Sequence, residues 1–385
     1  MTHIGAAAAL IASLLAPAGR MPQPGAPRPV GPGVLPNQVL WSASASELGS
    51  RPRLGPIAHF GGAAVVLDDG AVVGLDPEKG LVLWRFASGL DALQLATLGV
   101  LTLVAGTPFG GDECVPELRA FQGTDGTRLW ATPLPAVAHS LQSLGDVVIA
   151  VLEGGQVAAL ELGDGRLRWT ASVGPGPAVA AGDGVYVGTA LGLEKRSRDD
   201  GSLLWQRQLA AAVEVAPTLL GDRVVVATAD GHVHGLDAAD GRSAWSHDLG
   251  GAATAALSTF EGTALVATYA DQLIRLKSNG KPQWRAAIEG RLRLPPTTWQ
   301  GQLLVATERS GRVAAFEPRR GHASGVSGLD AGQEWFTGPV AGFLDQLVAL
   351  TNRGRVLALG PGAPAPALPL LAMPALPAIK RDRGR

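Results

Sequence analysis

Residues 74–84 read Gly74-Leu-Asp-Pro-Glu-Lys-Gly-Leu-Val-Leu-Trp84, and the same pattern returns as Gly235-Leu-Asp-Ala-Ala-Asp-Gly-Arg-Ser-Ala-Trp245. In both stretches a Gly follows the Asp by four residues, and a Trp follows that Gly by four more. An Asp side chain can accept hydrogen bonds from backbone NH groups two residues on, and Gly supplies the left-handed conformation that a tight turn requires. The pattern therefore predicts two strands joined by a tight turn, with a large buried Trp on the second strand.

The Gly-x-x-x-Trp pattern occurs throughout the chain, and its tryptophans are separated by 42 residues on average. A fixed period of this length indicates that one supersecondary unit is stacked many times. A ninth tryptophan, Trp299, falls outside the period. The eight periodic members are Trp41, Trp84, Trp130, Trp169, Trp205, Trp245, Trp284 and Trp335.

A second set of short apolar runs lies upstream of the turns, as at 224–228 and 264–268. Several of these runs are followed by a dipeptide such as Asp69-Gly70 or Asp230-Gly231. Runs rich in Val, Leu and Thr that end in such dipeptides are typical of strands joined in hairpins. Four antiparallel strands in each repeat make one propeller blade, so the sequence predicts an all-β propeller.

The two ends of the repeat array complement each other. The last unit ends at 356–359 and lacks a Trp strand, whereas residues 39–41 form a Trp strand that has no unit before it. Pairing the two completes an eighth four-stranded blade and leaves no unpaired edge at the seam. The alternative is a ring of seven blades in which Trp41 belongs to a linker.

The repeat resembles the pyrroloquinoline-quinone-like β-propeller repeat over about residues 38–360. The resemblance implies that all eight periodic tryptophans pack between adjacent blades as structural docking residues. Two turns depart from the pattern: the one at 277–280 is a residue short, and an insertion at 319–332 is expected to widen the turn before Trp335. The chain is also similar to the propellers of the outer-membrane β-barrel assembly machinery, a resemblance that implies eight blades, no cofactor and protein partners.

Quinone-dependent dehydrogenases share this type of repeat, and in them a calcium ion held by Glu, Asn and Asp accompanies the quinone in the central funnel. This chain has only three asparagines, of which Asn37 falls in the predicted linker and Asn279 in a turn. Cys114 is the only cysteine, so no internal disulfide can form. The sequence offers no evident calcium ligands.

Other chemical signatures are equally weak. His232 and His234 lie two residues apart near Asp230, and we interpret them as solvent-facing strand residues because a metal site needs three converging ligands. Neither a nucleophile elbow nor a phosphate-binding loop occurs. We therefore predict no catalytic, cofactor-binding or metal-binding residue. Loops 106–118 and 319–332 could bind a ligand, but exposed variable loops without a function are the favoured interpretation of both.

Residues 1–18 are predicted to be a signal peptide, because an apolar run precedes Ala16-Pro-Ala18 at the spacing of a cleavage site. That run is too short to span a membrane. Residues 19–37 form a Pro/Gly-rich linker, 38–360 the propeller, and 361–385 a Pro-rich tail that we expect to be disordered, with a sorting role as the alternative. The net charge of −1 gives no indication of a nucleic-acid partner.

These features favour a non-enzymatic, exported scaffold that binds protein partners in the periplasm or cell envelope of a bacterium, for example in outer-membrane protein assembly. A quinone-dependent dehydrogenase with a non-standard site is one alternative. A module that binds carbohydrate or cell wall is another. Nothing in the sequence identifies a small-molecule ligand.

Overall fold

The computed structural model describes residues 38–360, except 60–61, 111–114, 124, 175, 183, 256, 289–291, 293–295, 300, 307–311, 329–333, 338–339 and 344–345. The predicted signal peptide, linker and tail, as well as Cys114, lie outside the described residues. Eight four-stranded antiparallel sheets form a ring, which confirms the predicted eight-bladed all-β propeller. A single short helix, α1 (Ala45–Leu48), precedes blade 1 among the described residues.

The strands follow one another in chain order, four to a blade. Blades 1 and 2 consist of β2 (Pro52–His59), β3 (Gly62–Leu67), β4 (Ala71–Leu75), β5 (Val82–Ala87), β6 (Leu90–Leu98), β7 (Leu101–Pro108), β8 (Glu117–Gln122) and β9 (Arg128–Pro133). Blades 3 and 4 consist of β10 (Ala138–Leu144), β11 (Val147–Leu152), β12 (Gln156–Glu161), β13 (Leu167–Ser172), β14 (Ala178–Ala181), β15 (Gly184–Thr189), β16 (Gly192–Ser197) and β17 (Leu203–Gln208).

The second half of the ring repeats this plan. Blades 5 and 6 consist of β18 (Thr218–Leu220), β19 (Arg223–Ala227), β20 (His232–Asp237), β21 (Ser243–Asp248), β22 (Ser258–Phe260), β23 (Thr263–Thr268), β24 (Gln272–Leu276) and β25 (Pro282–Ala287). Blade 7 consists of β26 (Thr297–Trp299), β27 (Gln302–Ala306), β28 (Arg312–Phe316) and β29 (Ala323–Gly328). Blade 8 consists of β30 (Ala341–Phe343), β31 (Gln346–Leu350), β32 (Val356–Gly360) and β1 (Gln38–Ala43).

Within each blade the first strand lies at the central channel and the fourth at the outer rim. First strands of neighbouring blades contact each other, as β2 does with β6 and β30. Second strands such as β3, β11 and β23 are buried along their whole length, because each sheet packs against a neighbour on both faces. The hydrophobic core is accordingly distributed over the interfaces between blades.

The ring is closed by strands from distant parts of the chain. Strand β1 pairs antiparallel with β32, with Gln38 opposite Gly360 and Trp41 opposite Ala358. Blade 8 therefore has its full set of four strands, and the seven-blade alternative is wrong.

The turns between third and fourth strands have the geometry that the sequence predicts. Gly80 has φ of +71° and its NH donates to the Asp76 carbonyl oxygen at 2.8 Å. The Asp76 carboxylate in turn accepts a 2.8 Å hydrogen bond from the NH of Glu78. The turn of blade 6 is one residue shorter, as expected, because Gly280 bonds to the carbonyl of Lys277.

The third–fourth turn and the fourth strand of blade 7 differ from the sequence-based prediction. Its turn has the ordinary length, since Gly321 NH donates to the Glu317 carbonyl at 2.8 Å, and the fourth strand follows directly as β29. Gly325 pairs with Ala315 at the position where other blades carry Trp. The prediction that an insertion widens this turn and that Trp335 belongs to the fourth strand is wrong. The additional residues follow β29, and 329–333 lie outside the described part of the chain.

Candidate functional site

Six periodic tryptophans link one blade to the next. Each indole Nε1 donates a hydrogen bond to the carbonyl of a residue in the next blade's third–fourth turn. The pairs are Trp41–Pro77 (2.7 Å), Trp130–Leu162 (2.9 Å), Trp169–Arg198 (2.8 Å), Trp205–Ala238 (3.2 Å), Trp245–Ser278 (2.9 Å) and Trp284–Pro318 (2.6 Å). Each ring also lies against the turn glycine: a Cβ on Gly241 would approach the Trp205 ring to 2.7 Å. The turn glycine thus provides both the backbone conformation and the space for the indole.

Two buried cations reinforce these contacts, and sequence reasoning missed them. Lys195 and Arg275 pair in register with Trp205 and Trp284, and both are 3% exposed. Lys195 Nζ donates to Ala238 O at 3.0 Å and Arg275 Nη1 to Pro318 O at 2.6 Å, so cation and indole share one acceptor. The available signal was a charged residue at a register position where other blades have Ala or Gly. Because burial of an isolated charge is costly, such hydrogen bonds are needed to retain it.

Trp84 behaves differently from the six. Its ring stacks on Phe86 with centroids 5.6 Å apart and meets His59 edge-on at 5.1 Å. The Phe86 side chain takes the position against the turn glycine of blade 2, Gly126. Aromatic contact therefore replaces the indole hydrogen bond at the interface between blades 1 and 2.

Trp335 lies outside the blade sheets, in the connection between blades 7 and 8. Its backbone NH donates to Asn352 Oδ1 at 2.9 Å. The adjacent Glu334 carboxylate is buried and forms an ion pair with Arg355. The structure therefore brings six of the eight predicted docking tryptophans into equivalent positions and places Trp84 and Trp335 elsewhere.

The first strands line the central channel, where the dehydrogenase alternative would place its calcium–quinone site. The described first strands contain one acidic residue, Asp91, and its carboxylate forms an ion pair with Arg53. Side chains on the other first strands that are exposed include His139, Thr259 and Thr298. A calcium ion takes about six to eight oxygen ligands, several of them carboxylates. The residues of these first strands do not fit that site.

His232 and His234 occupy strand β20 on the side facing Arg207 of blade 4. His232 is 43% exposed, and its Nδ1 lies 3.4 Å from Asp230 Oδ2. His234 is more buried than the sequence suggested, and its Nε2 lies 3.3 Å from Thr228 Oγ1. Burial lowers the pKa of His234, although the charge of Asp230 opposes the shift. Over the described ranges, no group of three or more His, Cys, Asp or Glu side chains could hold a metal ion.

Three hairpins between second and third strands carry a large exposed apolar side chain. Because strand direction alternates, hairpins between second and third strands all lie on one face, which we call the hairpin face, opposite the third–fourth turns. Phe109 in blade 2, Leu191 in blade 4 and Tyr269 in blade 6 lie at these hairpins and are 53%, 62% and 59% exposed. Exposed aromatic and large apolar side chains are candidates for contacts with a protein partner. Sequence reasoning considered loop 106–118 but not the tips of blades 4 and 6.

A ring of eight blades with indole-on-glycine interfaces is a propeller of the quinoprotein-like repeat class. A family model described as "Outer membrane protein assembly factor BamB" matches residues 36–180, 154–265 and 253–362, and the chain belongs to this family. The match extends over the whole ring.

Individual relatives are more distant. Outer membrane protein assembly factor BamB of Bordetella pertussis is 33% identical over 108 residues, which are 28% of this chain and 27% of that protein. The protein of the same name from Yersinia pestis is 22% identical over 240 residues, or 55% of this chain and 60% of that protein. The matched regions thus span less than two thirds of these relatives.

Solved structures agree on the fold. The crystal structure of BamB from Moraxella catarrhalis has a TM-score of 0.66 and 16% identity, with 84% of this chain and 99% of that chain covered. The computationally designed Ika8 protein has a TM-score of 0.67 and 14% identity over the same shares. At such identities the likeness shows the fold alone. None of the helices in the described part of the chain is long and apolar enough to cross a membrane.

Proposed function

We propose that this chain is a non-enzymatic scaffold of the cell envelope that binds protein partners during the assembly of outer-membrane proteins. The observation that carries the proposal is the family match over the whole ring, from residue 36 to residue 362. The matching relatives are named as outer-membrane protein assembly factors. The predicted signal peptide, residues 1–18, supports export to that compartment.

The hairpin face is the proposed partner surface. Leu191 and Tyr269 are 62% and 59% exposed, and the blades that carry them are packed between neighbouring blades. A surface held rigid before binding loses little conformational entropy on association. Aromatic and large apolar side chains are also the residues that most often dominate binding free energy. We therefore assign the main partner contacts to these tips and to Phe109.

Affinity capture from bacterial envelope extracts tests this function. We expect the wild-type chain to recover components of the outer-membrane β-barrel assembly machinery, identified by mass spectrometry. A double variant, Leu191→Ser with Tyr269→Ser, should lose at least about tenfold of that recovery, since two central apolar contacts disappear. The matched control is Leu203→Ser with Leu204→Ser, which removes two exposed leucines of the same ring from the outer rim.

The proposal fails if the wild-type chain recovers no such component. If both double variants lose recovery equally while remaining folded by circular dichroism, the hairpin face is not the partner surface. Among the described residues, no group of three or more His, Cys, Asp or Glu side chains could hold the metal ion of the dehydrogenase alternative.

A further inference from the structure

The outer rim carries an exposed apolar patch at the seam between blades 8 and 1. The rim patch comprises Val39 and Leu40 on β1 and Leu81, Val82 and Leu83 at the start of blade 1's fourth strand, and these side chains are 40–61% exposed. The two runs adjoin because the ring of Trp41, which follows Leu40, lies against Gly80, which precedes Leu81. The corresponding residues of blade 6 are Lys281-Pro-Gln283.

The chain leaves the ring beside this patch. Gln38 pairs with Gly360, and a Cβ on Gly360 would clash with the side chain of Leu40. Residues 361–385, the tail segment, therefore begin at the edge of the patch, on the face where the third–fourth turns lie. A segment with proline-type extension of about 3.1 Å per residue covers about 25 Å in its first eight residues, enough to cross from one blade to the next.

The composition of the tail segment complements the patch. Its large apolar residues are at 368, 370, 371, 373, 376 and 379, and its prolines are at 361, 364, 366, 369, 374 and 377. Proline fixes φ, so a segment rich in it loses less conformational entropy when it binds an apolar surface. Composition alone favours disorder for such a segment, but an apolar surface at its point of exit gives its leucines a place to be buried.

The basic end of the tail segment is also complementary in charge to the turns next to the rim patch. The tail segment continues as Lys380-Arg-Asp-Arg-Gly-Arg385, with four basic side chains and one acidic side chain. The turns next to the rim patch carry three acidic residues, Asp76, Glu78 and Asp125, against one exposed lysine, Lys79, so these turns are acidic on balance. None of the three carboxylates forms an ion pair with another described residue. A basic stretch can therefore lie over these turns once the apolar stretch covers the patch.

We propose that residues 361–385 bind the rim patch of the same chain, with the leucines over Leu81–Leu83 and the basic stretch over the acidic turns. This contact is intramolecular, so it goes beyond the proposed scaffold function and does not depend on any partner.

Disulfide trapping in the full chain tests the proposal. In a Cys114→Ser background, Leu83→Cys is combined with Leu370→Cys. The matched control combines Ser324→Cys with Leu370→Cys, because Ser324 is exposed at the same position of blade 7, which adjoins blade 8 on its other side. Binding raises the effective concentration of one thiol near the other, so we expect the first pair to form an intramolecular disulfide at least about ten times faster than the control. Equal rates for the two pairs overturn the proposal. A disulfide-linked dimer also overturns it, because a second copy then covers the patch.

Removal of residues 361–385 provides a second measurement. We expect the truncated chain to bind more of an apolar fluorescent dye, with about a twofold rise in fluorescence, because the five patch side chains lose their cover. Val82→Ser with Leu83→Ser should cancel that rise. An unchanged dye signal after truncation contradicts the proposal. Salt at about 0.5 M should slow the first disulfide a few-fold, since it screens the basic stretch from the turns.

Discussion

The interface between blades 4 and 5 is packed by different residue types from the interface between blades 7 and 8. At the first, Trp205 lies against Gly241 and donates to the carbonyl of Ala238 in the next turn. At the second, Gly325 takes the register position of the Trp. Blade 8 has no third–fourth turn, because β32 and β1 come from opposite parts of the chain. An indole at position 325 would have neither a turn glycine nor a turn carbonyl to contact.

Other residues fill the interface between blades 7 and 8. Trp299 on β26 and Phe336 in the connection are each 3% exposed and belong to the same apolar cluster. The ion pair between Glu334 and Arg355 lies beside them. The difference shows that a Trp docks only where the next blade has a third–fourth turn whose carbonyl can accept its hydrogen bond. A Trp that merely keeps the period of the repeat, such as Trp335, does not dock.

The largest effect is expected from deletion of β1. Without residues 38–43 blade 8 has three strands, β32 gains an unpaired edge and the turn of blade 1 loses the Trp41 contact. We expect the cooperative thermal unfolding transition, followed by circular dichroism, to disappear. Removal of residues 361–385 is the control and should leave the transition nearly unchanged. If the two truncations behave alike, closure by β1 is not what holds the ring.

A pair of Trp substitutions tests the two interfaces directly. Trp205→Ala removes an indole and its hydrogen bond from between blades 4 and 5, and should cost about 2–4 kcal/mol of unfolding free energy. Trp335→Ala should cost below about 1 kcal/mol, because the hydrogen bonds at that position involve the backbone of Trp335. Urea denaturation measures both. Equal losses would show that Trp335 is also a docking residue.

A pair of glycines in blade 5 separates backbone conformation from docking. Gly241 and Gly221 have φ of +72° and +63°, but only Gly241 faces an indole, and nothing lies within 4 Å of a Cβ on Gly221. Gly221→Ala should cost about 1–2 kcal/mol for the left-handed conformation alone. Gly241→Ala should cost about 1–3 kcal/mol more, because the methyl group displaces Trp205. Equal losses of unfolding free energy in urea denaturation would show that Gly241 contributes only its backbone conformation and not its contact with Trp205.

The smallest expected effects are those of pH on the free energy of unfolding. The interface between blades 7 and 8, near Glu334, and the interface between blades 4 and 5, near His234, should respond in different pH ranges. Burial raises the pKa of Glu334, but the hydrogen bonds from Arg355 and the nearby arginine charges outweigh it, so the net pKa lies below the ordinary 4.5. Its contribution to stability is therefore present above pH 4.5 and is lost as pH falls through the lowered value. Glu334→Gln should flatten the stability profile in that acid range.

His234 responds at higher pH. Burial lowers its pKa below the ordinary 6.5, so the unfolded chain binds the proton more readily than the folded chain. Its contribution is present above pH 6.5 and is lost as pH falls from there toward the lowered value. His234→Gln should therefore flatten the profile just below pH 6.5 and leave the acid range as in wild type. Identical profiles for wild type and variant in urea denaturation would contradict this assignment.

Sequence reasoning reached the fold because local chemistry determines it. The Asp76–Gly80 turn, the hairpin dipeptides and the orphan strand at Trp41 are each read from neighbouring residues, and together they give eight blades. It failed at Trp335 because the prediction followed the Trp period, although Glu317 and Gly321 kept the turn spacing that anchors the strand. It also assigned the docking position of blade 1 to Trp84, whereas Phe86, two residues further along the same side of β5, lies against the turn glycine of blade 2. Only the packing between blades 1 and 2 shows which of the two aromatic side chains contacts the turn glycine, Gly126.

The candidate surfaces were less predictable than the fold. Exposure of Leu191 or Tyr269 depends on how far a hairpin extends past its neighbours, and that distance is a property of the assembled ring. The sequence places the charged residues Lys195 and Arg275 on strands. It does not indicate that each donates a hydrogen bond to a backbone carbonyl of the next blade.

Closure of the ring by β1 also determines the order in which the protein can fold. The residues that β1 pairs with are some 320 positions further along the chain, so blade 8 has its outer strand at the start of synthesis and its other three at the end. Contacts of such high sequence separation form slowly, because a long loop must close before they contribute. Until then the waiting strand offers unpaired edges to other chains, and blade 1 exposes the apolar face that blade 8 will cover. The nascent molecule is therefore most prone to aggregation in the interval before its last blade emerges.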